Sequence, residues 1–221
     1  LSFTIAGKRT NAWYWGKGPV VVLVHGWSSK GFHFRKFIDP LVQKGFTVVI
    51  PDLPGHVKSE GKTTNVLEFK ATVEAIVNHF DTVYALVGQS LGAMASLLFL
   101  TENTHKVDRL VVANSAAYAE SIMNRFMEQI NGSNQVKQAL LKRLWAKFDQ
   151  DFNYYSIYNR IQEVKELPKI LVIGDHDDPE VSIEEVKAFA QVTNSKLMET
   201  EGLGHNNGLK SDDVVEEVVE F

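Results

Sequence analysis

Ser90 sits between two glycines in Gly88-Gln89-Ser90-Leu91-Gly92, directly after the apolar run Val83-Tyr84-Ala85-Leu86-Val87 and directly before Ala93-Met94-Ala95-Ser96-Leu97-Leu98-Phe99-Leu100. A strand that turns sharply into a helix at a serine leaves the hydroxyl projecting from a strained corner, and the glycines remove side chains that would collide with neighbouring backbone. A serine hydroxyl is a weak nucleophile near neutral pH. It needs a general base within hydrogen-bond reach, itself oriented by a carboxylate. Two later segments carry such groups. Gly174-Asp175-His176-Asp177-Asp178-Pro179 follows Ile170-Leu171-Val172-Ile173 and offers three carboxylates, while Glu201-Gly202-Leu203-Gly204-His205-Asn206-Asn207-Gly208 follows Lys196-Leu197-Met198-Glu199-Thr200 and offers a histidine. A tetrahedral intermediate also needs N–H donors for its oxyanion, and the Leu91 N–H, opening the helix after Ser90, supplies one.

The elements that must position these groups are legible as a texture of apolar runs. Val20 to Val24, Phe46 to Ile50, Val83 to Val87, Leu110 to Ala113 and Ile170 to Ile173 are continuous and mostly β-branched, as strands buried on both faces of a parallel sheet require. Between them Val66, Phe69, Val73, Ile76, Val77 and Phe80 recur at helical spacing, as do Ile183, Val186, Phe189 and Ala190, and then Val214, Val215, Val218 and Val219. This alternation predicts an α/β fold, a mostly parallel, twisted, doubly wound sheet flanked by helices, whose ligands bind beyond the carboxyl ends of the strands. Ser2 to Ile5 and Ala12 to Trp15 read as a short antiparallel pair turning at Gly7-Lys8. From Ala116 to Leu167 no strand is expected; Ile122, Phe126 and Ile130 mark one helix, Val136, Leu140, Leu141, Leu144, Trp145 and Phe148 a second, and Phe152, Tyr155, Tyr158 and Ile161 a third. The expected division is therefore a core of residues 1–115 and 168–221 with a small all-helical cap, 116–167, leaving the sheet at the edge that carries Ser90.

With these residues in place, the chain resembles the α/β-hydrolase superfamily over nearly all of its length outside the helical insertion. The resemblance implies the chain order Ser, acid, His. In that family the acid typically stands three residues after the glycine ending its strand, which selects Asp177 ahead of Asp178 and Asp175, and the base lies in a Gly-His pair, which selects His205. Members that carry the acid after the preceding core strand have a carboxylate where this chain has Asn114-Ser115. His25-Gly26-Trp27-Ser28-Ser29 is similar to the family's His-Gly-x oxyanion motif and implies that the Trp27 N–H joins that of Leu91, with His25 bracing the loop. Pro51-Asp52-Leu53-Pro54-Gly55-His56-Val57-Lys58-Ser59 resembles an Asp-x-x-Gly-His-Gly-x-Ser turn with Val57 in place of glycine. A β-branched residue resists positive φ, so an altered turn is expected there. Asp52 and His56 read as structural and His176 as solvated.

The activity so implied is that of a serine hydrolase, a carboxylesterase cleaving esters of small to medium, largely apolar substrates through an acyl-enzyme. Ser90 attacks, His205 moves the proton, Asp177 orients His205, and Trp27 and Leu91 hold the oxyanion. Trp27, Phe34, Met123, Phe126 and Trp145 are the expected pocket residues. The same machinery serves carbon–carbon bond hydrolases, thioesterases and cofactor-free perhydrolases, and a non-catalytic hydrolase-like receptor is a further alternative; dehalogenases of this fold carry Asp, not Ser, at the elbow. Among 221 residues, 44% are hydrophobic and 23% charged, the net charge is only −4, and Lys and Arg are dispersed, which gives no electrostatic footprint for nucleic acid. No apolar run approaches a membrane span of about twenty residues. The absence of cysteine excludes disulfides, thiolate metal sites and a cysteine nucleophile. With no His-Glu-x-x-His helix, dinucleotide glycine fingerprint or phosphate loop, neither a metal nor a cofactor is called for. The expected partner is a small acyl substrate, not nucleic acid or membrane, handled by a cytoplasmic monomer or homodimer. The chain begins at Leu1 rather than Met, as when an upstream tag or leader has been removed.

Overall fold

The computed structural model describes residues 1–115 and 117–221, with all side chains in those ranges except those of His105 and Asn153. Ala116, the expected first residue of the cap, lies outside the described residues. Ser2–Ile5 (β1) and Lys8–Trp15 (β2) form a hairpin whose turn is Ala6-Gly7, at φ 48° and 75°. Positive φ at both positions matches the right-handed twist of the two strands, so β2 begins four residues earlier than its apolar stretch suggests.

Val20–Val24 (β3), Thr47–Asp52 (β4), Val83–Gln89 (β5), Val107–Ala113 (β6), Lys169–Asp175 (β7) and Lys196–Thr200 (β8) complete one sheet in the order β1-β2-β4-β3-β5-β6-β7-β8. β2 pairs antiparallel with β1 and β4, and all other pairings are parallel. The continuous apolar runs have the expected cause, because successive residues feed two separate cores. Val22, Val24, Leu86, Leu110 and Val112 pack under Val66–His79 (α2), Leu91–Leu100 (α3) and Ile183–Val192 (α7). Val21, Leu23, Val87, Val111 and Ile173 pack on the opposite face under Arg35–Gln43 (α1) and Asp212–Glu220 (α9). α1 carries Pro40 in its interior. That breaker masks the helix from a reading of propensity, although its tertiary packing sustains it.

Between β6 and β7 the chain forms Ala119–Gln129 (α4), Asn134–Phe148 (α5), a 3₁₀ turn at Phe152–Tyr155 and the five-residue helix Ile157–Ile161 (α6). The expected third helix is thus a turn followed by a short helix, and Ile157 and Ile161 are buried in the core beneath α2 and α3. α5 buries none of its residues fully. Among the described residues, no helix is long and apolar enough to cross a membrane.

Candidate active site

Ser90 lies between β5 and α3 at φ 53° and ψ −123°, a conformation that costs a non-glycine residue about 1–3 kcal/mol. The surroundings enforce it. A Cβ on Gly88 would fall 2.4 Å from the Ala93 Cα, and one on Gly92 would fall 2.2 Å from the Val24 carbonyl oxygen, so both glycines are required by close backbone approach. The Ser90 N–H donates to the Ala113 carbonyl at 2.9 Å, and the Ser115 hydroxyl donates to the Ser90 carbonyl at 3.0 Å. The end of β6 therefore pins the corner from both sides.

His205 enters from Gly204–Asn207 (α8), directly after Gly204 at φ 59°. Its ring is buried, with Nε2 2.9 Å from the Ser90 Oγ and Nδ1 2.8 Å from Asp178 Oδ2. This network fixes the tautomer: Nδ1–H donates to the carboxylate, and Nε2 is free to accept from the serine hydroxyl. The Gln89 side-chain amide donates to the His205 carbonyl at 3.1 Å, tying the histidine turn to the elbow.

The carboxylate against His205 is Asp178, not Asp177. Asp175 explains why. Its Oδ1 accepts the N–H groups of Asp177 and Gly204, both at 2.9 Å, while Oδ2 accepts from Thr200 Oγ1 at 2.7 Å and the Leu203 N–H at 3.1 Å. That Asx-type turn reverses the chain so that Asp177 faces outward, where its Oδ2 accepts the Gly202 N–H at 2.8 Å, and Asp178 faces the histidine. Burial works to raise both inner carboxyls. The hydroxyl and N–H donors around Asp175 outweigh it, and around Asp178 the His205, Asn114 and Glu180 hydrogen bonds do the same, so both lie below the ordinary carboxylate value. Asn114, at φ 48°, donates its side-chain amide to Asp178 Oδ2 at 2.9 Å, and the Glu180 and Val181 N–H groups donate to Oδ1 at 2.7 and 3.0 Å.

The loop after β3 meets the elbow at Gly26, where a Cβ would come within 3.0 Å of the Ser90 Cβ. Among the described residues, neither the Trp27 N–H nor the Leu91 N–H is paired with a protein acceptor. His25 is fully buried, with Nδ1–H donating to the Gly26 carbonyl at 2.9 Å and Nε2 accepting the Leu53 N–H at 3.3 Å. Burial, with His56 and His33 nearby, lowers its pKa to about 4 against the pull of the Gly26 bond, so it is a neutral brace. His56 Nε2 accepts the Ser28 N–H at 3.1 Å, and Asp52 Oδ2 accepts from the Trp13 indole at 3.2 Å. His176 lies at the surface against Glu199, at 2.8 Å. Val57 corrects an expectation: it adopts φ 48°, so the turn keeps a glycine-like conformation despite the β-branched side chain.

Ser90 and His205 open into a cavity of about 700 Å³ whose walls are mostly apolar. Trp27, Val66 and Met94 line it from the sheet side; Ile122 and Phe126 of α4, Phe148 of α5 and Tyr155 of the 3₁₀ turn line it from the insertion. Of the expected pocket residues, Trp27 and Phe126 line this cavity and three do not. Phe34 is fully buried in the opposite core, 5.6 Å from the Phe37 ring. Met123 is buried without lining the cavity, and Trp145 points to solvent, 58% exposed, while Leu144 and Phe148 turn inward. Charge enters the cavity wall, beyond His205, at Arg125 and Glu180. Gln89, Asn114 and Glu180 were not singled out by sequence reasoning; only their positions beside the serine, after β6 and beside the acid could have marked them.

Residues 19–143 match the family described as alpha/beta hydrolase fold. The chain belongs to this family. Among curated relatives, the magnesium-chelatase 30 kDa subunit of Rhodobacter capsulatus is 34% identical over 103 residues, covering 45% of this chain and 35% of that protein. The pimeloyl-[acyl-carrier protein] methyl ester esterase of Chromobacterium violaceum is 32% identical over 104 residues, covering 47% of this chain and 40% of the relative. The chain thus matches well under half the length of these curated relatives. A thermophilic esterase from Thermogutta terrifontis superposes with a TM-score of 0.73 at 16% identity, covering 100% of this chain and 96% of that one, a likeness of α/β-hydrolase fold.

Proposed function

We propose that the protein is a serine hydrolase that cleaves carboxylic esters of largely apolar acyl groups through an acyl-enzyme. The observation that carries this reading is the unbroken relay from Asp178 through His205 to Ser90, with spacings of 2.8 and 2.9 Å, ending on a serine held at φ 53°. His205 removes the hydroxyl proton as Oγ attacks the carbonyl carbon, and Asp178 stabilises the imidazolium so formed. The oxyanion is received by the Trp27 and Leu91 N–H groups, with the α3 dipole behind the second. His205 returns the proton to the leaving alcohol, and water repeats the sequence on the acyl-enzyme. The identity of the nucleophile argues for carbonyl substrates. A serine alkylated by halide displacement or epoxide opening would be an ether, which water at His205 cannot cleave, whereas an acylated serine is an ester, which it can. The helices between β6 and β7 act as the lid of the acyl cavity.

The test is labelling with a fluorophosphonate together with turnover of p-nitrophenyl acyl esters. Wild-type protein is expected to label once, at Ser90, and to release nitrophenolate; Ser90→Ala is expected to do neither while keeping its circular dichroism and melting temperature. Ester turnover by folded Ser90→Ala overturns the reading.

A further inference from the structure

Glu180 is the one carboxylate in the cavity wall among the described residues, and it faces the side of His205 opposite Asp178. Its Oε2 lies 3.5 Å from Nε2, the nitrogen that also meets Ser90 Oγ at 2.9 Å. Its backbone is fixed, because its N–H donates to Asp178 Oδ1 at 2.7 Å and the next residue, Val181, is buried. Its side chain is 57% exposed and, among the described residues, faces no ionic partner other than this histidine. A heteroatom that receives a proton from Nε2 must approach within about 3 Å of it. An acceptor 3.5 Å from the same nitrogen faces the same edge of the imidazole as that heteroatom, and its exposed side chain is free to turn toward the heteroatom's own hydrogens.

We propose that the site hydrolyses secondary amides as well as esters, with Glu180 accepting the N–H of the departing amine. The proposal rests on the serine-hydrolase reading above. As Ser90 Oγ bonds to the amide carbon, His205 takes the hydroxyl proton and the nitrogen becomes pyramidal. Its new lone pair must point at His205 to receive that proton, which turns its N–H away from the imidazole. The C–N bond then breaks with its electron pair on nitrogen, the proton passes from Nε2 to that nitrogen, and the amine leaves; water releases the carboxylic acid from Ser90. Glu180 accepts a hydrogen bond and transfers no proton. In a wall that is otherwise mostly apolar, Glu180 is the charged acceptor that stands beside the turned N–H, and a donor left poorly paired on desolvation is costly. An ester's leaving oxygen carries no such hydrogen, so this carboxylate favours the nitrogen leaving group over the oxygen one.

The experiment compares p-nitrophenyl esters with the matching p-nitroanilides and N-methyl-p-nitroanilides, from butanoyl to decanoyl. Wild-type protein is expected to cleave both the ester and the anilide. In Glu180→Ala the anilide-to-ester ratio of kcat/KM is expected to fall about tenfold, the loss of roughly one charged hydrogen bond. Glu180→Gln, which keeps a carbonyl acceptor, should restore part of it, and the N-methyl anilide, lacking the N–H, should show no change in its ratio to the ester. Ester turnover without anilide turnover in wild-type protein overturns the proposal and leaves the esterase reading standing, as does an unchanged ratio in Glu180→Ala. Failure of every substrate together with failure of Ser90 labelling overturns the esterase reading, and this proposal with it.

Discussion

The Asn114 side-chain amide donates to Asp178 Oδ2 at 2.9 Å, so the end of β6 supports the acid that the end of β7 supplies. Adjacent parallel strands deliver both groups to one edge of the sheet. Asn114 takes positive φ to do so, a conformation asparagine tolerates better than most residues.

The two neighbouring aspartates should separate cleanly in kinetics. Asp178→Asn is expected to lower kcat on a p-nitrophenyl ester by about 10⁴, because the imidazole loses both its orientation and its compensating charge. Asp177→Asn keeps an oxygen for the Gly202 N–H and is expected to change kcat by no more than a few-fold. Steady-state assays of both folded variants decide the assignment.

His25 makes folding sensitive to mild acid. Its pKa falls from 6.5 to about 4 in the folded protein, chiefly by burial. Above the unfolded value both states are neutral and its contribution is complete. As pH drops from there toward the folded value the unfolded chain binds a proton that the folded one refuses, so stability is lost. Between about pH 7.5 and pH 5 that loss is about 2 kcal/mol. Urea unfolding at the two pH values should show it, and the difference should shrink in His25→Gln even though that variant is less stable at the higher pH.

Val57 stores strain at the surface, with φ 48° at 63% exposure. Val57→Gly should relieve the left-handed penalty at some cost in chain entropy, for a net gain of about 0.5–1 kcal/mol. Val57→Ala, which retains a Cβ, should gain less. Thermal melts of the three proteins provide the measurement.

Phe126 and Trp145 should differ although both are exposed aromatics of the insertion. Phe126 lines the cavity and Trp145 does not. Phe126→Ala is expected to reduce kcat/KM for medium-chain esters by about tenfold through lost apolar contact, with a smaller effect on acetate esters. Trp145→Ala should leave the chain-length profile unchanged.

Much of this architecture is legible in local sequence because its physics is local. A strand buried on both faces has to be apolar throughout, as β3 is, and the Ser90 corner has to have glycine at 88 and 92 because backbone approaches within 2.4 Å of where their Cβ atoms would stand. Once Ser90 is at a strand end, the parallel topology directs attention to the loops after β7 and β8, and His205 lies in one of them. What spacing could not decide was direction. Asp177 and Asp178 are adjacent, and only the turn closed by Asp175 with Thr200, Leu203 and Gly204, all more than twenty residues away along the chain, sends one outward and the other to the histidine. The pocket shows the same limit. Phe34, Met123 and Trp145 have the chemistry of pocket residues, but which way each faces is fixed by the elements packed on its helix or turn. The composition and period of this sequence determined the sheet, and its strand-end motifs with the family resemblance singled out Ser90 and His205; the long-range hydrogen bonds of the tertiary structure turned Asp178 rather than Asp177 to the histidine, and set Glu180 beside it, because a side chain's direction depends on backbone held from elsewhere in the chain.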